Sequence, residues 1–402
     1  MADNNRSTGL LIALFGAIFV GAAGTHSLTP IFPELKDAFG VSDGEVRQLT
    51  ALYTLGTSVS GLILGILCDR LGRRRILVPA LFTYALCSGL LLLPLAWLGF
   101  QKVLLLRGLA GLAAGGITAT VIAMTSDVVE YSRRGRAMSF VLSGTYLAMI
   151  IGVPLAGYLA RYRLLGVFGL FAGVACVAGL AVLRMAPRDS NLGGSGTGDS
   201  HSLLQKPGQA LRCPGAAAAL TTTFFTTLAI FAVITSLSDH AVDRYAADLS
   251  QRSLMFLCLG LGAVPGALLA GLLSDRLGKR RLVLVALGGS LVLSPLLLLP
   301  ASFPVFVLVA VLISMVQVLR QGPFAAVLTG LVPHPLRGSL VGLNSACSGL
   351  GLATGTCLGG VSYAISGLAG GVLVAALSLL LSVLLFWLRV LEVNDPVEED
   401  AA

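Results

Sequence analysis

Two arginines stand where their neighbours supply no water. Arg107 lies a few residues inside the apolar run 103–127. Arg320 lies deep in the run 304–331, about sixteen residues from its start or about 24 Å along a helix. A guanidinium stays charged at any physiological pH and presents five donors in a planar fork. Inside an apolar segment it needs an anion, a set of carbonyl oxygens or a route back to water. Arg107 is close enough to an end of its run to reach the interface. Arg320 is not, and Gln317 and Gln321 accompany it. Arginine with two amides performs recognition of a polar or anionic group, not bond cleavage. The alternative for Arg320 is a tether to backbone carbonyls or a place in a wet vestibule.

Composition describes the elements that must hold these groups. Of 402 residues, 56% are hydrophobic and only 11% charged, where a soluble domain carries about 25% charged residues. A spanning helix needs about 20 mainly apolar residues. Twelve such runs can be read: 9–29, 46–68, 76–98, 103–127, 138–160, 164–185, 215–238, 252–274, 282–301, 304–331, 339–363 and 366–389. They are too long for the strands of a membrane barrel, about ten residues each. The first run ends in the small residues Gly21-Ala22-Ala23-Gly24 but exceeds a signal-peptide core. The expected fold is an all-α polytopic membrane protein with twelve transmembrane helices. Seven cysteines, mostly inside the runs and without a C-x-x-C pair, read as small packing residues. With four scattered histidines, neither a metal site nor a cofactor is expected.

The net charge of +8 is explained by topology. With a cytoplasmic N-terminus and alternating spans, 18 of the 27 Lys and Arg fall on the cytoplasmic side and 7 outside. Arg107 and Arg320 are the two within spans. This is the positive-inside asymmetry. It places both termini in the cytoplasm and removes the need for a nucleic-acid partner. After the sixth run, residues 187–214 become rich in Gly, Ser and Pro and read as a flexible linker. The expected organisation is a first six-helix bundle at 1–186, a cytoplasmic linker at 187–214, a second bundle at 215–391 and an acidic cytoplasmic tail at 392–402.

The two halves repeat one another. "GILCDRLGRRR", from Gly65, returns as "GLLSDRLGKRR", from Gly271, 206 residues later. Gly72 and Gly278 permit a tight turn between helices. "RRGRAMSF", from Arg133, is echoed by "LRGSLVGL", from Leu336, and Gly152 and Gly157 by Gly355 and Gly360. Duplicated six-span halves joined by a cytoplasmic linker are a transporter architecture, with the substrate site near mid-membrane between the halves.

On these residues the chain resembles the major facilitator superfamily over nearly its whole length. The signature G-x-x-x-D-R-x-G-R-R/K is matched at Gly65, Asp69, Arg70, Gly72, Arg73 and Arg74, and again at Gly271, Asp275, Arg276, Gly278, Lys279 and Arg280. Arg107 followed by Gly111 is similar to the family's second motif, and Glu130 with Arg134-Gly135-Arg136-Ala137 to its "ERGRA" element. Within the superfamily the chain most resembles drug and sugar-efflux proton antiporters, the arabinose-efflux-permease-like group. Their fifth-helix motif appears as "GVPLAG", carrying Gly152, Pro154 and Gly157, with Val153 inserted and one terminal Gly missing. The resemblance implies two pseudo-symmetric six-helix bundles and a latch between them. In that latch Asp69 faces the start of the eleventh span near Gly338, and a loop arginine pairs with Asp127 or Glu130. It also implies a part for Arg107 in proton-coupled cycling.

Further candidates for the cavity are His26, Tyr53, Tyr146, Thr222, Phe225, Thr226 and Asn344; each has packing or helix-bonding as its alternative role. No G-x-x-x-x-G-K-[ST] segment binds ATP, so the energy must come from a gradient. No acid lies in the middle of the first span. Candidate proton carriers are Asp127, Glu130, Asp239, Asp243, His26 and His240. Asp239, within "SLSDHAVDR", reads as part of a hydrated outer end. No nucleophile–base set marks an enzyme. The expected function is proton-coupled efflux of a small organic molecule by a monomer in the lipid bilayer of a bacterial inner membrane. An uptake permease for an organic anion or other nutrient, and a non-transporting membrane sensor, are the alternatives.

Overall fold

A computed structural model describes residues 2–129, 134–186, 208–299, 302–333 and 336–390. Among them the chain is helical throughout, with no strand. Twelve rods follow in order. The first bundle holds α1 (Ala2–His26), α2 (Asp43–Leu71), α3 (Arg73–Leu90), α4 (Leu95–Val128), α5 (Arg134–Leu147, carried through a π turn at Ala148–Gly152 into Val153–Ala160) and α6 (Val167–Met185). The second holds α7 (Ala216–Ile234), α8 (Leu249–Leu277), α9 (Lys279–Leu293), α10 (Phe303–Gly330), α11 (Arg337–Ser366) and α12 (Leu368–Arg389). Short helices Phe32–Phe39 and Leu237–Tyr245 follow α1 and α7. Among the described residues, nine stretches are long and apolar enough to cross a membrane by length and composition; α2, α3 and α11 are not among them. Two of those three, α2 and α11, pack on each other across the halves and carry the Gly, Ser and Thr such a seam uses.

Local chemistry sets the helix starts in matched pairs. Ser42 and Glu45 form a capping box at the head of α2: Ser42 Oγ accepts from the Glu45 N–H at 3.3 Å, and the Glu45 carboxylate accepts from the Ser42 N–H at 2.8 Å. Asp248 and Gln251 repeat this box at the head of α8, at 2.7 and 3.0 Å. At the other end of both helices the chain turns through Gly72 (φ 96°) and Gly278 (φ 80°), a conformation that a side chain disfavours. The bundle therefore has a hinge end, bearing Gly72 and Gly278, and a far end, bearing the capping boxes.

Some boundaries differ from those read in the sequence. The run 76–98 ends as a helix at Leu90, and α4 starts at Leu95 rather than near 103. The turn between them is itself apolar, so hydropathy runs straight through it. Pro94 supplies the break, and Gly99 (φ 61°) adds a kink. The ninth rod likewise leaves α geometry at Ser294 and finishes as a 3₁₀ turn to Leu298. Of the linker, residues 187–207 lie outside the described residues, but 208–212 are helical and Ala210 is fully buried. The tail 392–402 lies outside the described residues.

One apolar core gathers buried residues from Leu10 to Ala186, among them Phe168, Phe171 and Tyr84. Another gathers residues of the second bundle from Ala210 to Val390, with Val153 of α5 joining it. The halves meet along two seams, α2 against α11 and α5 against α8. At these seams Gly349 lies against Ser58 and Gly157 against Ser253, so close that a β-carbon on either glycine would collide.

Candidate functional site

The repeated signature is a pair of helix staples. Arg74, at the start of α3, donates to the carbonyl of Leu183 near the end of α6. Its counterpart Arg280, at the start of α9, donates from Nε to the Val390 carbonyl at 2.8 Å and from Nη2 to the Trp387 carbonyl at 2.7 Å, at the end of α12. A cation placed on the last carbonyls of a helix also meets the negative end of its dipole. Each arginine thus ties the hinge to the last helix of its own bundle. Gly65 and Gly271 lie in the last turns of α2 and α8. Asp69, Arg70, Asp127, Tyr146, Asp275 and Arg276 belong to described helices. The partners proposed for Asp69 and Asp127 involve side chains beyond the described residues, and Glu130 lies outside them altogether.

The fifth-helix motif makes a bend. Pro154 has no N–H, so the preceding turn widens into the π turn Ala148–Gly152. A β-carbon on Gly152 would lie 3.2 Å from the Ala23 methyl of α1. Gly157 brings the far part of α5 against Ser253 of α8.

Arg107 is 1% exposed. Its Nη2 donates to the Gly24 carbonyl of α1 at 2.6 Å and its Nε to the Leu49 carbonyl of α2 at 3.3 Å. Its guanidinium carbon lies 4.2 Å from the centre of the Tyr53 ring and 5.3 Å from that of Phe168. Tyr53 is itself buried and donates to the Gly21 carbonyl at 2.7 Å. Tyr53 and Arg107 therefore brace α1, α2, α4 and α6 together, inside the bundle rather than in a cavity.

Arg320 is the opposite case. It is 7% exposed, as is Gln317 one turn before it. Arg320 Nε and Gln317 Oε1 have no hydrogen-bond partner, and among the described residues no carboxylate pairs with Arg320. The Phe324 ring lies 5.1 Å from its guanidinium carbon. Gln321 points to an exposed face. On α7, Thr222 and Thr226 are buried; Thr226 bonds the Thr222 carbonyl at 2.7 Å and approaches Ser382 of α12 at 3.2 Å. Thr223, one position on from Thr222, donates to Asn344 of α11 at 2.6 Å. Phe225 is half-buried and packs edge-on against Phe224. His26 reaches across the halves and stacks on Phe231 of α7, 5.6 Å between ring centres.

At the far end the halves are tied by two ion pairs that the sequence reading missed. Arg47 of α2 pairs with Asp239, and its Nη2 also faces the Thr235 carbonyl at 3.4 Å. Arg252 of α8 pairs with Glu34, through Nη2 to Oε1 and through Nη1 to Oε2 at 3.1 Å, and Nη1 donates to the Pro30 carbonyl at 2.7 Å. Asp239 is thus buried and paired, not part of a hydrated end as its polar neighbours implied. Tyr363 stacks under Arg47 and donates to Asp243 at 2.6 Å. A signal was present: Glu34 precedes Arg47, and Asp239 precedes Arg252, by the same 13 residues.

Known proteins match this arrangement. A profile of the Major Facilitator Superfamily matches residues 14–242 and 219–402, so the chain belongs to that superfamily. It is accordingly a multi-pass membrane protein and a secondary transporter working by alternating access. A 3-(3-hydroxy-phenyl)propionate transporter of Escherichia coli (strain K12) is 25% identical over 370 residues, 91% of this chain and 88% of the relative. A chloramphenicol resistance protein of Streptomyces lividans is 27% identical over 304 residues, 74% of this chain and 75% of the relative. The crystal structure of a D-xylose-proton symporter superposes with a TM-score of 0.78 at 16% identity, covering 96% of this chain and 98% of that one. That last likeness concerns the fold.

Proposed function

We propose that this chain moves a small organic molecule out of the cell in exchange for protons, as a monomer in a bacterial inner membrane. Both termini, the linker at 187–214 and the hinge end face the cytoplasm; the far end faces outward. The observation that carries the substrate site is Arg320 with Gln317: a buried charge and a buried amide with unused hydrogen-bonding capacity on α10. An unpaired ion in a protein interior is costly, and an ionisable residue at membrane depth marks a substrate or ion pathway. Export is supported by likeness to the chloramphenicol resistance protein and by the bend at Gly152–Pro154. His26, stacked across the halves on Phe231, is the titratable group we assign to the coupling proton, because a rocking motion must remake its surroundings.

Arg320 also favours a second reading, uptake of an organic anion. A guanidinium without a carboxylate in reach suits a substrate that brings its own. The arylpropionate transporter of E. coli supports this version. Reconstitution into proteoliposomes separates the two. With chloramphenicol and 3-(3-hydroxyphenyl)propionate as labelled probes and a pH gradient of either sign, export predicts accumulation driven against the proton flow. Uptake predicts accumulation along it. Flux of neither probe, and of no member of a wider panel, under any gradient would favour the sensor.

A further inference from the structure

The two far-end ion pairs obey the pseudo-symmetry of the fold. Arg47 takes a backbone carbonyl, Thr235, and a carboxylate four residues later, Asp239, from the second half. Arg252 takes a backbone carbonyl, Pro30, and a carboxylate four residues later, Glu34, from the first half. Each of these three positions lies 205 residues from its counterpart. Ser238 adds a link in the same place, donating to the Pro30 carbonyl at 3.1 Å and accepting from Arg252 at 3.3 Å. Each half therefore gives one arginine and one carboxylate to the other. The capping boxes fix both arginines in the second turn of their helices, so the pairing geometry is set by rigid elements.

We propose, resting on the outward placing of the far end given under the proposed function, that these four side chains form the outer gate of the transport cycle, which holds the outer end shut in the state seen here and opens as a unit when the halves rock. The physics suits a gate. Pairing in the closed state offsets the loss of water around four ions, and opening returns water to all four, so neither state is heavily favoured. Losing a single partner removes that balance, because the ion left behind is driven to stay hydrated in the open state. The two pairs are unequal. Arg47 and Asp239 are both buried, whereas the Glu34 side chain is 30% exposed and screened. The buried pair is the stronger bolt.

Cysteine accessibility reads the gate without any substrate. A cysteine replacing the fully buried Thr235 reports the outer end, and one replacing the exposed Ser345 of α11 reports the hinge end. Each is labelled with a membrane-impermeant maleimide from its own side, and the chain lacking the added cysteine gives the background. Arg47→Gln and Asp239→Asn are expected to raise outer labelling about tenfold, a small part of what a buried pair can shift, while hinge-end labelling falls. Arg252→Gln and Glu34→Gln raise it less. The exchanged pair Arg47→Asp with Asp239→Arg brings labelling back toward the parent. Labelling that rises at both ends together would mean a loosened fold and would overturn the proposal. So would unchanged outer labelling in Glu34→Gln, whose exposed carboxylate makes it the variant most certain to fold.

Discussion

Among the described residues, Arg107 and Arg320 are arginines buried far from the ends of their helices, one in each bundle, and their surroundings differ in kind. Arg107 has a carbonyl from α1, a carbonyl from α2 and two aromatic faces. Arg320 has one aromatic face, an unpartnered Nε and an equally unpartnered amide oxygen beside it. The same side chain is a structural brace in the first case and an unsatisfied charge in the second. What separates them in the structure is the supply of carbonyl oxygens. This difference is why the proposed substrate contact is assigned to the second bundle.

The comparison makes opposite predictions for stability. Arg107→Ala should cost the most, about 4 kcal/mol, since it takes the side-chain donor from the Gly24 carbonyl in the last turn of α1 and opens a cavity beneath Tyr53. Thermal unfolding in detergent measures this, and a variant as stable as the parent would break the comparison from the Arg107 side. Arg320→Met should move the other way. Replacing an unpaired buried ion by an apolar chain of similar length is expected to stabilise the substrate-free protein by about 2 kcal/mol. A loss of stability there would mean that Arg320 is braced after all. Smallest are the hinges: Gly72→Ala and Gly278→Ala each force a β-carbon into a positive-φ conformation and should cost about 1 kcal/mol. Equal costs would sharpen the view that the halves are equivalent at the hinge and differ in the interior.

Much of this was readable from residue types. A charge in an apolar run announces itself, so Arg107 and Arg320 were found, and the repeated Gly-x-x-x-Asp-Arg-x-Gly located both hinges. Hydropathy could not see the turn at Leu91–Pro94, because the turn residues are as apolar as the helices they join. Tyr53 was read as a cavity residue because sequence gives a helix position but not the face it turns inward. Arg47 and Arg252 were overlooked for a different reason. They sit at the ends of spans, where a basic residue is ordinary, and their carboxylate partners belong to the other half of the chain. Only the fold brings those together, although the common spacing of 13 residues recorded the symmetry.

The central claim is that Arg320 meets the substrate. Transport of the labelled probes into proteoliposomes by Arg320→Met, measured against concentration at matched protein content, tests it most directly. The account predicts a raised apparent KM or abolished transport in a protein that is folded and no less stable than the parent. A concentration curve identical to the parent's would contradict it.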